Sequence, residues 1–253
     1  SGDNTIAWYE NDGAANPSWT ASDISYTALG PRGIFLADID SDGDLDIISA
    51  SSGDNTIAWY ENDGAANPSW TAADISTTAD GARNVFVADI DSDGDLDIVS
   101  ASHDDDTIAW YENDGNSDPS FTKNVISTSA DGARGVHIAD IDSDGDLDIV
   151  SASRIDNKIA WYENDGAANP SWSTTTIATS AAGARDIHIA DMDNDGDLDI
   201  VSASSGDDTI AWYENDGAAN PSWTATDIAT TADGARDVYV SDLDNDGDLD
   251  IVS

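Results

Sequence analysis

Short apolar runs alternate with polar turns along the whole chain, and the alternation has a fixed period of 51 residues. In the unit spanning residues 32–82, residues 33–38 are apolar and short, which predicts a buried strand. Residues 45–50 predict a second strand and residues 51–55 a turn. Residues 56–61 (Thr-Ile-Ala-Trp-Tyr-Glu) predict a third strand, rich in β-branched and aromatic residues. Residues 62–69 form a polar loop with Asp-Gly and Pro punctuation. Residues 70–76 close the unit as a weaker outer strand. No segment sustains a helical period.

Four short strands in a repeat of roughly 40–50 residues mark a propeller blade. The predicted fold is therefore all-β, a β-propeller of five four-stranded blades in one domain. The blades fall at residues 32–82, 83–133, 134–184 and 185–235, with the fifth split between residues 236–253 and 1–31. The chain begins and ends inside a unit. This predicts a ring closed by N-terminal strands completing the last blade, and such closure removes exposed strand edges. An arc of a larger ring or array is the competing reading.

Between the first two strands of each unit lies a string of aspartates at every second position, broken by one glycine. The five copies are Asp38, Asp40, Asp42, Asp44 and Asp46; Asp89, Asp91, Asp93, Asp95 and Asp97; Asp140, Asp142, Asp144, Asp146 and Asp148; Asp191, Asp193, Asp195, Asp197 and Asp199; and Asp242, Asp244, Asp246, Asp248 and Asp250. Calcium takes roughly six to eight hard oxygen ligands in flexible geometry. Asp38, Asp40, Asp42 and Asp46 can converge if the chain turns at Gly43, with the Asp44 carbonyl and water completing the shell. An EF-hand would need a glutamate at loop position 12, where Ser49 stands. Zinc lacks its usual Cys and His ligands, and magnesium prefers to keep its waters. The expectation is about five Ca2+ ions, one per blade.

These residues resemble the integrin-like FG-GAP and VCBS repeat propellers. The resemblance rests on the aspartate string followed by an apolar strand, and on Ile-Ala-Trp-Tyr-Glu-Asn-Asp-Gly at residues 57–64. It implies a secreted or cell-surface protein used for adhesion, for ligand binding or as an accessory domain. It does not imply one activity, since a fold is not a function.

Composition narrows the partners. With 52 acidic and 8 basic residues the net charge is −44. Nucleic acid is excluded as a natural partner because one polyanion repels another. Anionic membrane surfaces are disfavoured for the same reason, and no apolar run is long enough for membrane insertion. Nine tryptophans and seven tyrosines, largely in phase with the strands, argue against disorder.

The scarce bases are therefore informative. Arg32, Arg83, Arg134, Arg185 and Arg236 share one phase at the start of the inner strand. Salt bridges to aspartates of neighbouring blades are their default role; an anion site around the axis is the sharper one. Strand alternation places the aspartate loops and the Asn-Asp-Gly loops on one face. The arginines lie on the other, with the variable turns that carry His103 and Arg154. Loops on a rigid scaffold carry function, so Arg32, Arg83, Arg134, Arg185, Arg236, His103 and Arg154 are the candidate ligand-binding residues. Phe35, Phe86, His137, His188 and Tyr239 share another phase, where histidine reads as a ring-shaped filler.

Three functions fit: a calcium-dependent extracellular module binding a glycan or a surface protein, a calcium-rigidified structural repeat prone to self-assembly, and an enzyme. The enzyme is disfavoured, because near-identical blades single out no asymmetric catalytic cluster. Unscreened carboxylates ~4 Å apart repel by about 1 kcal/mol per pair even in water. A chelator is therefore expected to lower the melting temperature, and a melting curve indifferent to chelator would contradict a calcium role in stability.

Overall fold

The computed structural model describes residues 4–253, and they fold as twenty β-strands. Four antiparallel four-stranded sheets follow one another. The first comprises β3 (Pro31–Ala37), β4 (Asp46–Ser51), β5 (Thr56–Asn62) and β6 (Trp70–Ser76). The second comprises β7 (Ala82–Ala88), β8 (Asp97–Ser102), β9 (Thr107–Asn113) and β10 (Phe121–Ser127). The third comprises β11 (Ala133–Ala139), β12 (Asp148–Ser153), β13 (Lys158–Asn164) and β14 (Trp172–Ala178). The fourth comprises β15 (Ala184–Ala190), β16 (Asp199–Ser204), β17 (Thr209–Asn215) and β18 (Trp223–Ala229). Two further pairs, β1 (Ile6–Asn11) with β2 (Trp19–Ser25) and β19 (Tyr239–Ser241) with β20 (Asp250–Val252), are the outer and inner halves of a fifth unit.

The cores lie between sheets. Successive side chains of a strand point to opposite faces, so the adjacent Trp and Tyr of the third strand serve two interfaces. Tyr60 packs towards β1 and β2, whereas Trp59 packs with Val85, Val87 and Tyr111 of the second sheet. Trp110 and Tyr162 meet in the next core, and Trp161 and Tyr213 in the one after. Rings of this kind remove roughly 150–250 Å² each from water. The in-phase tryptophans of this set are therefore packing residues. A second in-phase aromatic position holds Trp19, Trp70, Phe121, Trp172 and Trp223; the last four are half-buried at the rim of the same cores, and Trp19 is 61% exposed.

Around the axis, Phe35, Phe86, His137, His188 and Tyr239 form a continuous chain of ring contacts, with centroids 4.8, 4.5, 5.5 and 4.9 Å apart. The histidines act as rings in this stack.

Closure of the ring departs from the sequence expectation. Among the described residues no ladder joins β20 to β1. Tyr9 is 61% exposed where its interior counterpart Tyr60 is 4% exposed, and Ile34 is 60% exposed where Val85 is 3% exposed. The physical reason is the length of the seam. The β16–β17 ladder runs over five pairs, from Ile200↔Tyr213 to Ser204↔Thr209. β20 spans only Asp250–Val252 among the described residues. The part of the expected fifth blade at residues 1–3 lies outside the described residues.

Burial, and then the neighbouring His188, push the His137 imidazole down to about 4 from 6.5. Between these values the unfolded chain takes up a proton that the folded chain refuses. His137 thus contributes stability that is full above 6.5 and lost as pH falls towards 4. His137→Phe, which copies Phe86 of the preceding blade, is expected to gain stability over the natural chain as pH falls from 7 to 4. Urea unfolding across that range reads it, and parallel pH profiles would contradict it.

Candidate metal centres and an axial arginine cavity

Each aspartate loop connects the inner strand to the second strand of a sheet, for example β3 to β4. Ser41 takes a φ of 60° and Gly43 a φ of 99°, and these two left-handed positions curl the chain back on itself. Asp38 fixes the curl: its carboxylate accepts the Asp42 and Gly43 N–H groups, both at 3.0 Å. Asp42 in turn accepts the Asp44 N–H at 2.9 Å. The same bonds recur in the other four loops.

The result is five convergent carboxylate triads. Oxygens lie within 4.8 Å of one another in Asp38–Asp40–Asp42, Asp89–Asp91–Asp97, Asp140–Asp142–Asp144, Asp191–Asp193–Asp195 and Asp242–Asp244–Asp246. Asp91 and Asp142 each hold one buried oxygen with no hydrogen-bond partner. Burial first, and neighbouring carboxylates after it, raise both of these groups above the ordinary aspartate range. Hard oxygen donors, like charge at close range and an unpartnered oxygen are the properties of a cation site. The residues therefore fit a hard divalent ion.

The remaining aspartates of each string divide into two roles. Asp46 is fully buried and accepts N–H groups from Ile39 at 3.3 Å and Asn62 at 2.8 Å. The Trp59 indole N–H faces the same carboxylate, close enough to favour its ionised form but without full hydrogen-bond geometry. Its counterparts Asp97 and Asp148 are pushed up to about 7, chiefly by burial. Asp97 also belongs to its loop's triad. The Asp44 side chain instead faces Gly64 of the Asn-Asp-Gly loop. Asp95, Asp146 and Asp197 face Gly115, Gly166 and Gly217 in the same way. Of this position only the main-chain carbonyl is left to reach a metal. Nothing approaches Gly13, the counterpart of these glycines at the open seam.

Sequence reasoning missed the asparagine that closes the third strand. Asn113 donates from Nδ2 to the carbonyl of Leu96 at 3.0 Å and to that of Ile39, in the preceding blade's loop, at 3.1 Å. Asn164 and Asn215 do the same to Ile90 and Ile141, both at 3.1 Å. Their fixed phase was the available signal. Of the glutamates one residue earlier, Glu163 accepts from Ser173 at 2.7 Å and Glu112 from Asn124 at 3.4 Å.

On the opposite face the arginines gather. Arg32, Arg83, Arg134, Arg185 and Arg236 line one cavity of about 350 Å³, together with Asn84, Asp186 and Asp237. The default role assigned to them from sequence is overturned. Among the described residues the only ion pairs are His103–Asp104 at 2.6 Å and Lys158–Asp156 at 2.7 Å, and no arginine is in either. The reason is position: the aspartate strings sit on the far face. Arg154 is close enough to repel Arg83, Arg134 and Arg185. His103 donates or accepts at Nδ1 with Asp104, and its Nε2 is buried without a partner.

The FG-GAP-like repeat family matches over residues 1–49, 38–100, 89–151, 140–202 and 191–253, which together tile the chain. The chain belongs to this family. No match was found among curated protein sequences. Solved structures share the fold at low identity. A Pseudomonas aeruginosa periplasmic gluconolactonase aligns with a TM-score of 0.62 and 12% identity, over 98% of this chain and 66% of its own. A Lactobacillus plantarum protein aligns at 0.56 and 17%, over 87% and 61%. The Vibrio cholerae biofilm matrix protein Bap1 aligns at 0.54 and 17%, over 94% and 37%. The chain thus spans less than two thirds of the length of each.

In the four complete sheets the two loops of the acidic face are locked by a close approach at glycine. Gly115 has a φ of 66°, and a Cβ there would collide with the Asp95 carboxylate. Gly115→Ala is expected to cost about 1–2 kcal/mol of stability, from the left-handed backbone alone. Denaturant unfolding measures it, and an unchanged midpoint would contradict the packing described.

Proposed function

We propose that this protein is a calcium-stabilised, extracellular β-propeller module used for adhesion or ligand binding. The observation that carries the reading is the fivefold recurrence of a convergent aspartate triad on the same β-hairpin loop. Calcium suits the all-oxygen donor set, and it would neutralise carboxylates whose mutual repulsion otherwise opposes the fold. An extracellular setting is supported by two fold neighbours, one a biofilm matrix protein and one periplasmic. No helix is long and apolar enough to cross a membrane. The ligand class we favour is a glycan or a surface protein, held on the face that bears the arginines and the variable turns.

A second reading, self-assembly as a structural repeat, draws on a different observation. The open seam exposes Tyr9, Ile34 and Leu36 at one end and Tyr239, Leu243 and Val252 at the other. Catalysis is not assigned, although one fold neighbour is a gluconolactonase. The repeated carboxylates are accounted for by the ion, and no blade stands apart as a catalytic centre.

Calcium titration by calorimetry is expected to count about five sites. Asp91→Asn is expected to remove one, whereas Asp95→Asn, whose side chain faces Gly115, keeps the count. No calcium uptake by the folded chain would overturn the reading. A glycan array probed with calcium and then with chelator then separates the two roles: calcium-dependent hits support binding, and a blank array with calcium-driven assembly supports the structural repeat.

A further inference from the structure

Among the described residues the five cavity arginines make no ion pair, in a chain of 52 acidic residues. Unpaired guanidinium groups facing one another are costly, since each desolvates the next and adds like charge. Burial first, and then Arg185, Arg83, Arg154 and Arg32, pull Arg134 down to about 10. Arg83 is lowered as well, by burial and by Arg32, with Asp104 opposing the shift.

The blades are not equivalent here. Arg32 donates from Nε to the Ser52 hydroxyl at 3.2 Å, and Arg185 to the Ser205 hydroxyl at 2.6 Å. In the two blades between them the serine is replaced, by His103 and by Arg154. The Nε atoms of Arg83 and Arg134 are consequently buried with no partner. Neither His103 nor Arg154 hydrogen-bonds the Nε of its blade's arginine, and Arg154 adds positive charge. The carboxylates that line the cavity among the described residues, Asp186 and Asp237, belong to the two later blades. Burial first, and then the neighbouring Asp237, raise Asp186 to about 7, and Asp186 accepts the Val238 N–H at 3.0 Å. One side of the cavity thus holds two unbonded guanidinium Nε atoms, and the other carries the carboxylates.

We propose that this cavity is an anion-binding site centred on Arg83 and Arg134, flanked by Arg32 and Arg185, for a ligand carrying two or more carboxylate groups. Guanidinium forks pair with carboxylates in a bidentate manner, and two adjacent forks select a ligand with two such groups. About 350 Å³ accommodates one small ligand or one terminal segment of a chain. The chemistry is shared by a free dicarboxylate and by an acidic oligosaccharide. This names the ligand class of the binding face proposed above, and it rests on that reading for its biological source alone.

The test is calorimetric titration of the calcium-loaded full chain with succinate, trigalacturonate and, as neutral control, maltotriose. It is run at about 0.01 M ionic strength, where charges are screened only beyond roughly 30 Å. One anion per chain is expected, with affinity falling as salt rises. Binding of both anions supports a dicarboxylate pocket, and binding of trigalacturonate alone supports an acidic glycan. Arg134→Gln and, separately, Arg83→Gln are expected to weaken binding about tenfold or more. Both are expected to leave the calcium count unchanged and the ligand-free melting temperature no lower. Lys123→Gln, remote from the cavity, is expected to bind as the natural chain does. Calcium uptake with no anion binding overturns the site while sparing the calcium reading. Equal binding of maltotriose, or an equal loss in Lys123→Gln, overturns it too.

Discussion

One buried carboxylate per blade holds the architecture together. Asp46, Asp97, Asp148 and Asp199 are almost wholly removed from water, yet each accepts two backbone N–H groups. One N–H comes from the start of the aspartate loop and the other from the end of the third strand. The carboxylate therefore ties loop, second strand and third strand into one unit. The asparagine whose N–H it binds reaches on to the loop of the preceding blade. A charge buried this deeply is stable only while those donors, and a nearby cation, answer it. Loop geometry, blade geometry and the stacking of blades are thus linked through one side chain.

The division of charge between the faces follows from strand alternation. Loops after the first and third strands emerge on one side and carry all five aspartate strings. The start of the inner strand emerges on the other, where the arginines are too far from those aspartates to pair. An extremely acidic protein thereby keeps a local basic cavity. Carboxylates elsewhere on the surface lower its long-range attraction for anions, so short contacts rather than steering must provide any selectivity.

Packing between blades is carried by a dipeptide. Trp and Tyr side by side in the third strand point to opposite faces, and each fills a different interface. Every interior interface is then a copy of the last, which explains how near-identical repeats can stack without specialised ends. The same economy leaves the seam exposed, because half-blades present those aromatic and aliphatic faces to solvent.

The strands, their period, the aspartate loop with its turn at Gly43 and the acidic face were legible in the sequence, because each is set by local patterning within one repeat. The outer strand at residues 70–76 matches the structure residue for residue, and the inner strands begin within two residues of the expected position. The ring stack of Phe35, Phe86, His137, His188 and Tyr239 was legible for the same reason. The tertiary structure alone decided that the Asp44 carboxylate turns to Gly64, that Asn113 spans two blades, that no ladder joins β20 to β1 among the described residues and that five arginines share one cavity without an ion pair among those residues. Each of these depends on distances between segments more than a dozen residues apart. Composition cannot supply them: a sequence this rich in aspartate promises every arginine a partner, and only the placement of strands across the ring denies it one.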